Sequence, residues 1–335
     1  RQRQMCIRDR SLTATDMDMD ITTEVGCSVM TSGTTTMSAH LLYDIARKLP
    51  DGAEVDISVS DGHALVSAGR SSFRLPTLPV EDFPAISSSD LPVNFALSAA
   101  DVRDLMDATR FAISTEETRY YLNGIFIHKA ESGELCAVAT DGHRLALTRQ
   151  GLPSGASQMP SIILPRKAVN ELRKLLDDFD GEVLVSLSET RAEFRFDVVR
   201  LTSKLIDGTF PDYTRVIPVG NDRIMQVDVG AFSAAVDRVA TIASEKSRSV
   251  KMGLKPGLLT LSASNTDASS ATEELEVSYD GAEMEIGFNS RYLLDIAGQV
   301  NSEMVEFALA DQGSPSLVRA PGDEANLFVL MPMRV

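Results

Sequence analysis

Hydrophobic side chains recur at helical spacing along this chain. In the clearest case four residues fall at positions i, i+3, i+4 and i+7, the stripe of an amphipathic helix. That stripe is formed by Val102, Leu105, Met106 and Thr109, and its counterpart is formed by Phe232, Ala235, Val236 and Val239. Ser98, with Asp101 three residues later, supplies an N-cap to the first stripe. The pattern predicts helices in the windows 37–49, 98–111, 166–176, 230–248 and 290–299.

Between the helical windows the polarity alternates from residue to residue, as it does in strands. In one such run Val183, Val185 and Leu187 lie on one face, and the other face carries Leu184, Ser186 and Ser188. Asp-Gly pairs mark turns, in which glycine supplies a positive φ for hairpins. These pairs begin at positions 51, 61, 141, 180, 207 and 280. Helices alternating with hairpin-connected strands predict an α+β fold, with two helices packed on antiparallel sheet in each domain.

Short sequence markers return about every 125 residues. The first marker is LTATD at 12–16, AVATD at 137–141 and LSASN at 261–265. The second is LLYDIARKL at 41–49, AVNELRKLL at 168–176 and YLLDIAGQV at 292–300. Phe-Pro pairs at 83 and 210 close the first two copies. Repeats of this length are whole domains, because solenoid units are at most about 50 residues long.

The repeat predicts three domains, at 11–91, 92–220 and 221–335. Residues 1–10 are rich in arginine and match nothing in the other copies, so we interpret them as a non-native artefact. The first copy then lacks the opening helix and strand that the other two contain. Such a truncation would uncover apolar surface, and we expect it to weaken self-association of this chain.

Composition limits the classes of function. No apolar run reaches the 18 or so residues that a membrane-spanning helix needs. The three cysteines, at 6, 27 and 136, have no framework spacing, which favours a reducing, cytoplasmic location. The net charge of −16 argues against a nucleic-acid partner, but the five helical windows hold 12 of the 32 Lys and Arg and only 8 of the 48 Asp and Glu. Either the helices are ordinary solvated surfaces, or they share one face toward a polyanion.

Candidate catalytic and metal-binding residues are few. Asp16, Asp18 and Asp20 resemble the start of a calcium loop, but Ile21 and Cys27 stand where such a loop needs Gly and Glu. An acid–base pair of Asp141 and His143 lacks a recognisable nucleophile. The four histidines show no metal-ligand spacing, and no phosphate-binding loop is present. These residues form no recognisable catalytic site, so the sequence favours a protein that is not an enzyme and has no cofactor, with the pair of Asp141 and His143 as the one catalytic alternative.

Five motifs resemble the beta subunit of bacterial DNA polymerase III, the sliding clamp family. They are TRYYLNG at 118–124, ATDGHRLAL at 139–147, FPDYTRVIP at 210–218, GAEMEIGFN at 281–289 and MPMR at 331–334. The resemblance covers residues 11–335. It implies a threefold repeat of a clamp domain and a head-to-tail homodimeric ring, in which helices line a hole around duplex DNA.

The resemblance also implies sites. A pocket for partner peptides would be formed by Arg119, Tyr121, Leu122, Thr140, Gly142, His143, Arg144, Leu145, Pro211, Arg215, Val216, Ser247, Val329, Met331, Pro332, Met333 and Arg334. Ser247 replaces an aromatic residue found in some clamps, which would open the pocket wall. Arg166 and Lys167 would face DNA, and Phe73, Leu75 and Ile242 would form the dimer interface.

The implied function is that of a processivity factor in DNA replication. A closed ring holds duplex DNA without reading its sequence, and the pocket tethers the replicative polymerase, the clamp loader and other proteins with a clamp-binding motif, of the glutamine–leucine–leucine/phenylalanine type. Two alternatives remain open at this stage: a peptide-binding scaffold that does not encircle DNA, and an enzyme that uses Asp141 and His143.

Overall fold

The computed structural model describes residues 8–84, 90–244 and 248–334. The chain divides into two compact units. Unit 1 comprises Arg1–Asp90 with Glu193–Ser203, and unit 2 comprises Leu91–Ala192 with Lys204–Val335. Of the segment interpreted as an artefact, residues 1–7 lie outside the described residues, whereas residues 8–10 begin the first strand.

Unit 1 opens with a hairpin and continues with one helix and three strands. These elements are β1 (Arg8–Thr15), β2 (Met19–Cys27), α1 (Ala39–Ala46), β3 (Asp56–Ser60), β4 (His63–Ala68) and β5 (Ser71–Pro76). Strands β3, β4 and β5 form an antiparallel sheet. The carboxylate of Asp16 accepts hydrogen bonds from the amides of Asp18 and Met19, at 3.0 and 2.8 Å, so it supports the turn between β1 and β2.

The second and third repeats have the same order of elements. The second contains β6 (Val93–Ser98), α2 (Ala99–Asp107), β7 (Gly124–Lys129), β8 (Glu134–Thr140), β9 (Arg144–Gly151), β10 (Ile162–Pro165), α3 (Arg166–Leu175), β11 (Glu182–Leu187), β12 (Arg191–Phe196) and β13 (Val199–Lys204). The third contains β14 (Arg223–Asp228), α4 (Val229–Ala240), β15 (Ser249–Lys255), β16 (Leu258–Ser264), β17 (Ser270–Glu276), β18 (Met284–Asn289), α5 (Ser290–Ala297), β19 (Met304–Leu309), β20 (Ser316–Arg319) and β21 (Asn326–Leu330). The markers found in the sequence therefore correspond to equivalent elements.

Strands of the two repeats combine into one large antiparallel sheet in unit 2. Its order is β10-β7-β8-β9-β21-β20-β19-β14. The two repeats join where β9 pairs with β21, with Leu145 opposite Val329. A second sheet has the order β17-β16-β15-β18, and β6 pairs with β11. In unit 1, β13 pairs with β2.

The predicted helical stripes are confirmed. Val102, Leu105, Met106 and Thr109 are all buried, as are Phe232, Ala235, Val236 and Val239. The Ser98 hydroxyl accepts a hydrogen bond from the Asp101 amide at 3.0 Å, which confirms the N-cap. The window 230–248 was too long, because α4 ends at Ala240 and the chain turns at Thr241.

The Asp-Gly pairs divide into two groups. Gly52, Gly62 and Gly142 have positive φ, as predicted. The glycines at 181, 208 and 281 do not, so the prediction was wrong for them. Their small size is needed instead for close packing: a Cβ at Gly281 would lie 2.6 Å from the Tyr279 hydroxyl, and one at Gly208 would lie 3.0 Å from the Tyr121 Cβ.

Within the described residues no helix is long and apolar enough to cross a membrane.

Candidate partner-binding site

Three residues of the predicted pocket lie in one apolar cluster in unit 2. Leu122 ends a 3-10 helix at Glu117–Leu122, Leu145 lies on β9 and Val329 lies on β21. All three are buried in the same core cluster, and Tyr121 packs against it. Because β9 and β21 come from different repeats, this apolar floor is complete only when the two repeats are joined.

The loop between β8 and β9 is fixed by its own side chains. Asp141 Oδ1 accepts hydrogen bonds from the amides of His143 and Arg144, at 2.9 and 3.0 Å. The Thr140 hydroxyl donates to the Arg144 carbonyl at 2.6 Å and accepts from the Gly142 amide at 3.1 Å. Gly142 has φ +89°, and a Cβ there would lie 2.6 Å from Arg119 Nη1. Glycine therefore lets Arg119 lie against this loop.

Arg144 is buried, and its guanidinium is hydrogen-bonded to three other residues. Its guanidinium donates to Asp141 Oδ2 at 3.1 Å, to Asp295 Oδ2 at 2.6 Å and to the Phe111 carbonyl at 2.5 Å. It also lies over the ring of Tyr292, 4.3 Å from the centroid. Its exposed fraction is only 8%. Arg144 therefore connects the loop to α5 and cannot serve as a free cation for a partner.

The other two arginines beside the apolar floor are held by local carboxylates. Arg119 donates to both oxygens of Glu116, at 2.8 and 2.6 Å. That hydrogen bond raises the pKa of Arg119 and lowers the pKa of Glu116. Arg215 donates to Asp212 at 2.8 Å and is 83% exposed. Hydrogen bonding from Thr214, with the nearby charge of Arg215, lowers the pKa of Asp212. Both arginines are more accessible than Arg144.

The chain leaves the sheet after Leu330, as the proline at 332 predicted. The Met331 amide donates to the His143 carbonyl at 2.9 Å, and the Met333 amide donates to the Gly287 carbonyl at 2.7 Å. These two hydrogen bonds place the segment 331–334 beside the β8–β9 loop and β18. Met331 is 37% exposed, so it offers an adaptable apolar surface.

The segment 210–217 contains three further residues of the predicted pocket. Pro211, Arg215 and Val216 are exposed, whereas Phe210 is buried in the core cluster. Pro332 and Met333 are half-buried and Arg334 is exposed. Ser247 lies outside the described residues.

Three neighbours of the predicted pocket were missed by sequence reasoning: Phe111, Tyr292 and Asp295. Tyr292 stacks on the ring of His143, with centroids 6.5 Å apart, and burial raises the pKa of its hydroxyl. Tyr292 and Asp295 belong to the repeated nonamer marker, which was the only signal for them. The spacing of the marker predicts a helix and gives no sign of a site.

An acid–base role for Asp141 and His143 has no support in this geometry. Both oxygens of Asp141 accept hydrogen bonds from His143 and Arg144, which stabilise the turn. In the described part of the chain no group of three or more His, Cys, Asp or Glu is arranged to hold a metal ion.

The sequence matches three successive domain families over these repeats. Residues 8–87 match the N-terminal domain of the DNA polymerase III beta subunit, residues 96–212 its central domain and residues 214–334 its C-terminal domain. The chain belongs to the DNA polymerase III beta subunit family. Its class of function is that of a DNA sliding clamp, a non-catalytic subunit, and neither the enzyme nor the scaffold alternative is supported.

Relatives in this family are similar over nearly the whole chain. The Beta sliding clamp of Caulobacter vibrioides is 50% identical over 97% of this chain and 89% of its own length. The Beta sliding clamp of Escherichia coli is 38% identical over 97% of this chain and 88% of its own. A solved structure of the DnaN sliding clamp from Bartonella birtlesii, bound to griselimycin, has a TM-score of 0.95 and 48% identity, covering 98% of this chain and 90% of that one.

The basic residues on the helices have more than one role. Arg103 donates to the carbonyls of Leu176 and Phe179, at 2.8 and 2.6 Å, and so binds the end of α3. Arg173 donates to Asp107 at 2.7 Å and joins α3 to α2. Arg166 and Lys167 are exposed at the start of α3. Part of the excess of Lys and Arg on the helices therefore serves contacts within the protein.

The residues that the resemblance assigned to a dimer interface lie in both units. Phe73 and Leu75 are on β5 of unit 1, where Phe73 is half-buried and Leu75 is only 6% exposed. Ile242 follows α4 in unit 2 and is half-buried. Within its own chain Leu75 thus already packs into unit 1 and offers little side-chain surface.

Proposed function

We propose that this protein encircles duplex DNA as a head-to-tail homodimer and tethers replication proteins through a pocket beside the β9–β21 junction. The observation that carries the pocket is the buried floor of Leu122, Leu145 and Val329, next to the exposed side chains of Val216 and Met331. A floor of this kind suits apolar anchors of an extended peptide. We place the protein in the cytoplasm, with domains at 11–91, 92–220 and 221–335.

The charges around the floor favour the same class of partner. The side chains of Arg119 and Arg215 are 32% and 83% exposed, and each is paired with one local carboxylate. In the proposed complex each shares or exchanges that partner with a carboxylate or carbonyl of the bound peptide. The remaining residues proposed to contact the peptide are those of the β8–β9 loop and the segment 331–334. The replicative polymerase, the clamp loader and other proteins with a glutamine–leucine–leucine/phenylalanine tail are the proposed partners.

Titration of a fluorescent peptide with such a tail tests the pocket. Binding should be micromolar, about −8 kcal/mol. Met331→Glu should weaken it at least about tenfold, because the substitution places a charge on the apolar surface. Met30→Glu is the matched control, since Met30 is 91% exposed and lies in unit 1. Equal affinity of the two variants, with unchanged melting temperatures, would contradict the proposed pocket.

A charge reversal tests the DNA-facing residues. Arg166→Glu combined with Lys167→Glu should weaken retention on all DNA sequences alike and reduce the slope of log affinity against log salt by about 1 per residue. Lys251→Glu with Lys255→Glu is the control, because those side chains lie on β15 and pair with Glu285 and Glu283. If log affinity had the same slope against log salt in both double variants, Arg166 and Lys167 would not contact DNA.

Topological trapping tests the ring itself. A ring loaded on nicked circular DNA should remain bound and should dissociate once the circle is cut, because its retention depends on closure and not on base contacts. A protein that leaves circular and linear DNA equally fast would instead act as a peptide-binding scaffold.

A further inference from the structure

Four rings form a continuous ladder between β7 and the segment 210–217. Phe126 stacks on Phe210 with centroids 4.8 Å apart and planes 5° from parallel. His128 stacks on the other side of Phe126 at 4.7 Å, and Tyr213 lies 5.7 Å from His128. The inner two rings belong to β7, and the outer two belong to the segment. The ladder therefore fastens the segment to the large sheet at two points.

A hydrogen bond closes the ladder at its outer end. His128 Nε2 lies 3.0 Å from the Tyr213 hydroxyl, and His128 Nδ1 lies 3.1 Å from the Lys129 carbonyl. A carbonyl only accepts, so Nδ1 carries the proton, and in the neutral ring Nε2 then accepts from the hydroxyl. This assignment fixes both the tautomer of His128 and the direction of the Tyr213 O–H bond.

The segment alternates between anchored and exposed side chains. Phe210, Tyr213 and Ile217 pack on the core cluster that also contains Leu122, Leu145 and Val329. The intervening residues Pro211, Arg215 and Val216 are exposed. Arg215 is bonded to Asp212 of the same segment, so this ion pair does not fasten the segment to the sheet. The direction in which the exposed residues point therefore depends on the anchored ones.

We propose that His128 is a positioning residue for partner binding, which acts through Tyr213 to hold Pro211, Arg215 and Val216 in the orientation that receives the peptide. The inference rests on the proposed function of the pocket, but His128 itself does not touch a bound peptide. It lies on β7, opposite Cys136 of β8, and reaches the exposed residues only through the Tyr213 ring and hydroxyl.

Substitutions can separate the hydrogen bond from the stack. His128→Phe keeps a ring against Phe126 but cannot accept a hydrogen bond, and Tyr213→Phe keeps the ring but removes the hydroxyl. Each should weaken peptide binding about fivefold, the effect of one lost hydrogen bond. The double variant should bind no more weakly than either single variant, because both remove the same bond. His128→Gln retains an acceptor and should recover most of the affinity.

Tyr279→Phe is the matched control. The Tyr279 hydroxyl also donates a partly buried hydrogen bond, to the Ala282 carbonyl at 2.6 Å, but Tyr279 lies outside the core cluster that contains Leu122, Leu145 and Val329. This variant should lower the melting temperature of the full chain and leave peptide affinity unchanged. A merely structural role for His128 would give the same result for His128→Phe.

The outcomes distinguish the two proposals. The positioning role would be wrong if His128→Phe and Tyr213→Phe bound the peptide with full affinity. It would also be wrong if the losses of affinity were additive in the double variant. Neither result would contradict the proposed pocket. Failure of the unsubstituted protein to bind the peptide would overturn the pocket and, with it, the inference. The ¹⁵N chemical shifts of the His128 ring should be those of the tautomer protonated at Nδ1. In Tyr213→Phe the chemical shift of Nε2 should change, because its hydrogen bond to the hydroxyl is lost.

Discussion

Helices α1 and α5 come from the same sequence marker but have different surroundings. LLYDIARKL contains most of α1, and YLLDIAGQV contains most of α5. In α5, Ser290, Leu293, Ile296 and Ala297 are buried, and the helix packs beside α4. In α1 no residue is buried, and Tyr43 is 65% exposed. The periodicity of a sequence thus specifies a helix and its apolar face, but burial of that face depends on a partner elsewhere in the chain.

The partner is a second helix. Each of the later repeats contributes two helices, α2 with α3 and α4 with α5, that contact each other. Among the residues that the structure describes in unit 1, α1 is the one α-helix. Its apolar residues therefore contribute less to stability than the same residue types in α5.

The largest difference should appear when the equivalent leucines are shortened. Leu293→Ala should lower the free energy of unfolding of unit 2 by about 2–5 kcal/mol, because Leu293 is 1% exposed and the change leaves a cavity. Leu42→Ala should cost less than about 1 kcal/mol, because Leu42 is only half-buried. Denaturant unfolding of the full chain measures both. Equal losses would show that α1 is packed as tightly as α5.

A smaller difference should separate the acids of the two markers. Asp295→Asn should destabilise unit 2 by about 1–3 kcal/mol, since it weakens a charged hydrogen bond to buried Arg144. Asp44→Asn should change stability by less than about 0.5 kcal/mol, because its contact with Arg47 is long, at 3.9 Å, and exposed. Thermal unfolding of both variants is the measurement. A loss in Asp44→Asn as large as that in Asp295→Asn would break the comparison.

The helix caps should differ least, because a cap acts locally. Asn289 accepts a hydrogen bond from the Arg291 amide at 3.0 Å, and Ser38 accepts from the Leu41 amide at 3.4 Å. Asn289→Ala should cost about 1 kcal/mol and Ser38→Ala about 0.5 kcal/mol. Amide hydrogen exchange in the first turn of each helix would measure the loss of stability in each variant separately. A cap effect confined to α5 would show that burial controls even the helix ends.

Acid should produce a small effect that is specific to unit 2. Burial lowers the pKa of His128 from its ordinary value of 6.5, so the unfolded chain binds this proton more readily than the folded protein. The stability contributed by neutral His128 is thus fully present above about pH 6.5 and is lost as the pH falls toward the folded pKa. Unfolding of unit 2 between pH 7 and 5 should show this loss. The His128→Phe variant should show less dependence on pH in that range.

Local sequence rules predicted what depends on local structure. The stripe at Val102 and Leu105, the cap at Ser98 and the end of the last strand before Pro332 follow from periodicity and from backbone chemistry. The end of α4 at Ala240 was not predicted, because Thr241 and Ile242 are compatible with a helix and no glycine or proline marks the stop. The repeat predicted equivalent elements without predicting which of them pair.

The candidate site could be predicted only in part. Its apolar residues follow from the family motifs, and the structure brings Leu122, Leu145 and Val329 together. The role of Arg144 could not be predicted, because an arginine in a loop sequence gives no sign that Asp295 and Phe111 will bury it. The ladder of Phe126, His128 and Tyr213 was equally hidden, since it joins β7 to a segment 85 residues later.

The pairing of β9 with β21 has a consequence for the order of events during synthesis. Arg149, at this edge of the second repeat, is bonded to Glu324, which follows it by 175 residues. The ribosome therefore releases β10, β7, β8 and β9 long before β21 exists, and the edge of β9 stays open while the third repeat is made. An open strand edge in a nascent chain invites association with other chains. We therefore expect closure of that edge to be one of the last steps of folding, and a pulse of protease during translation should cut near β9 until it occurs.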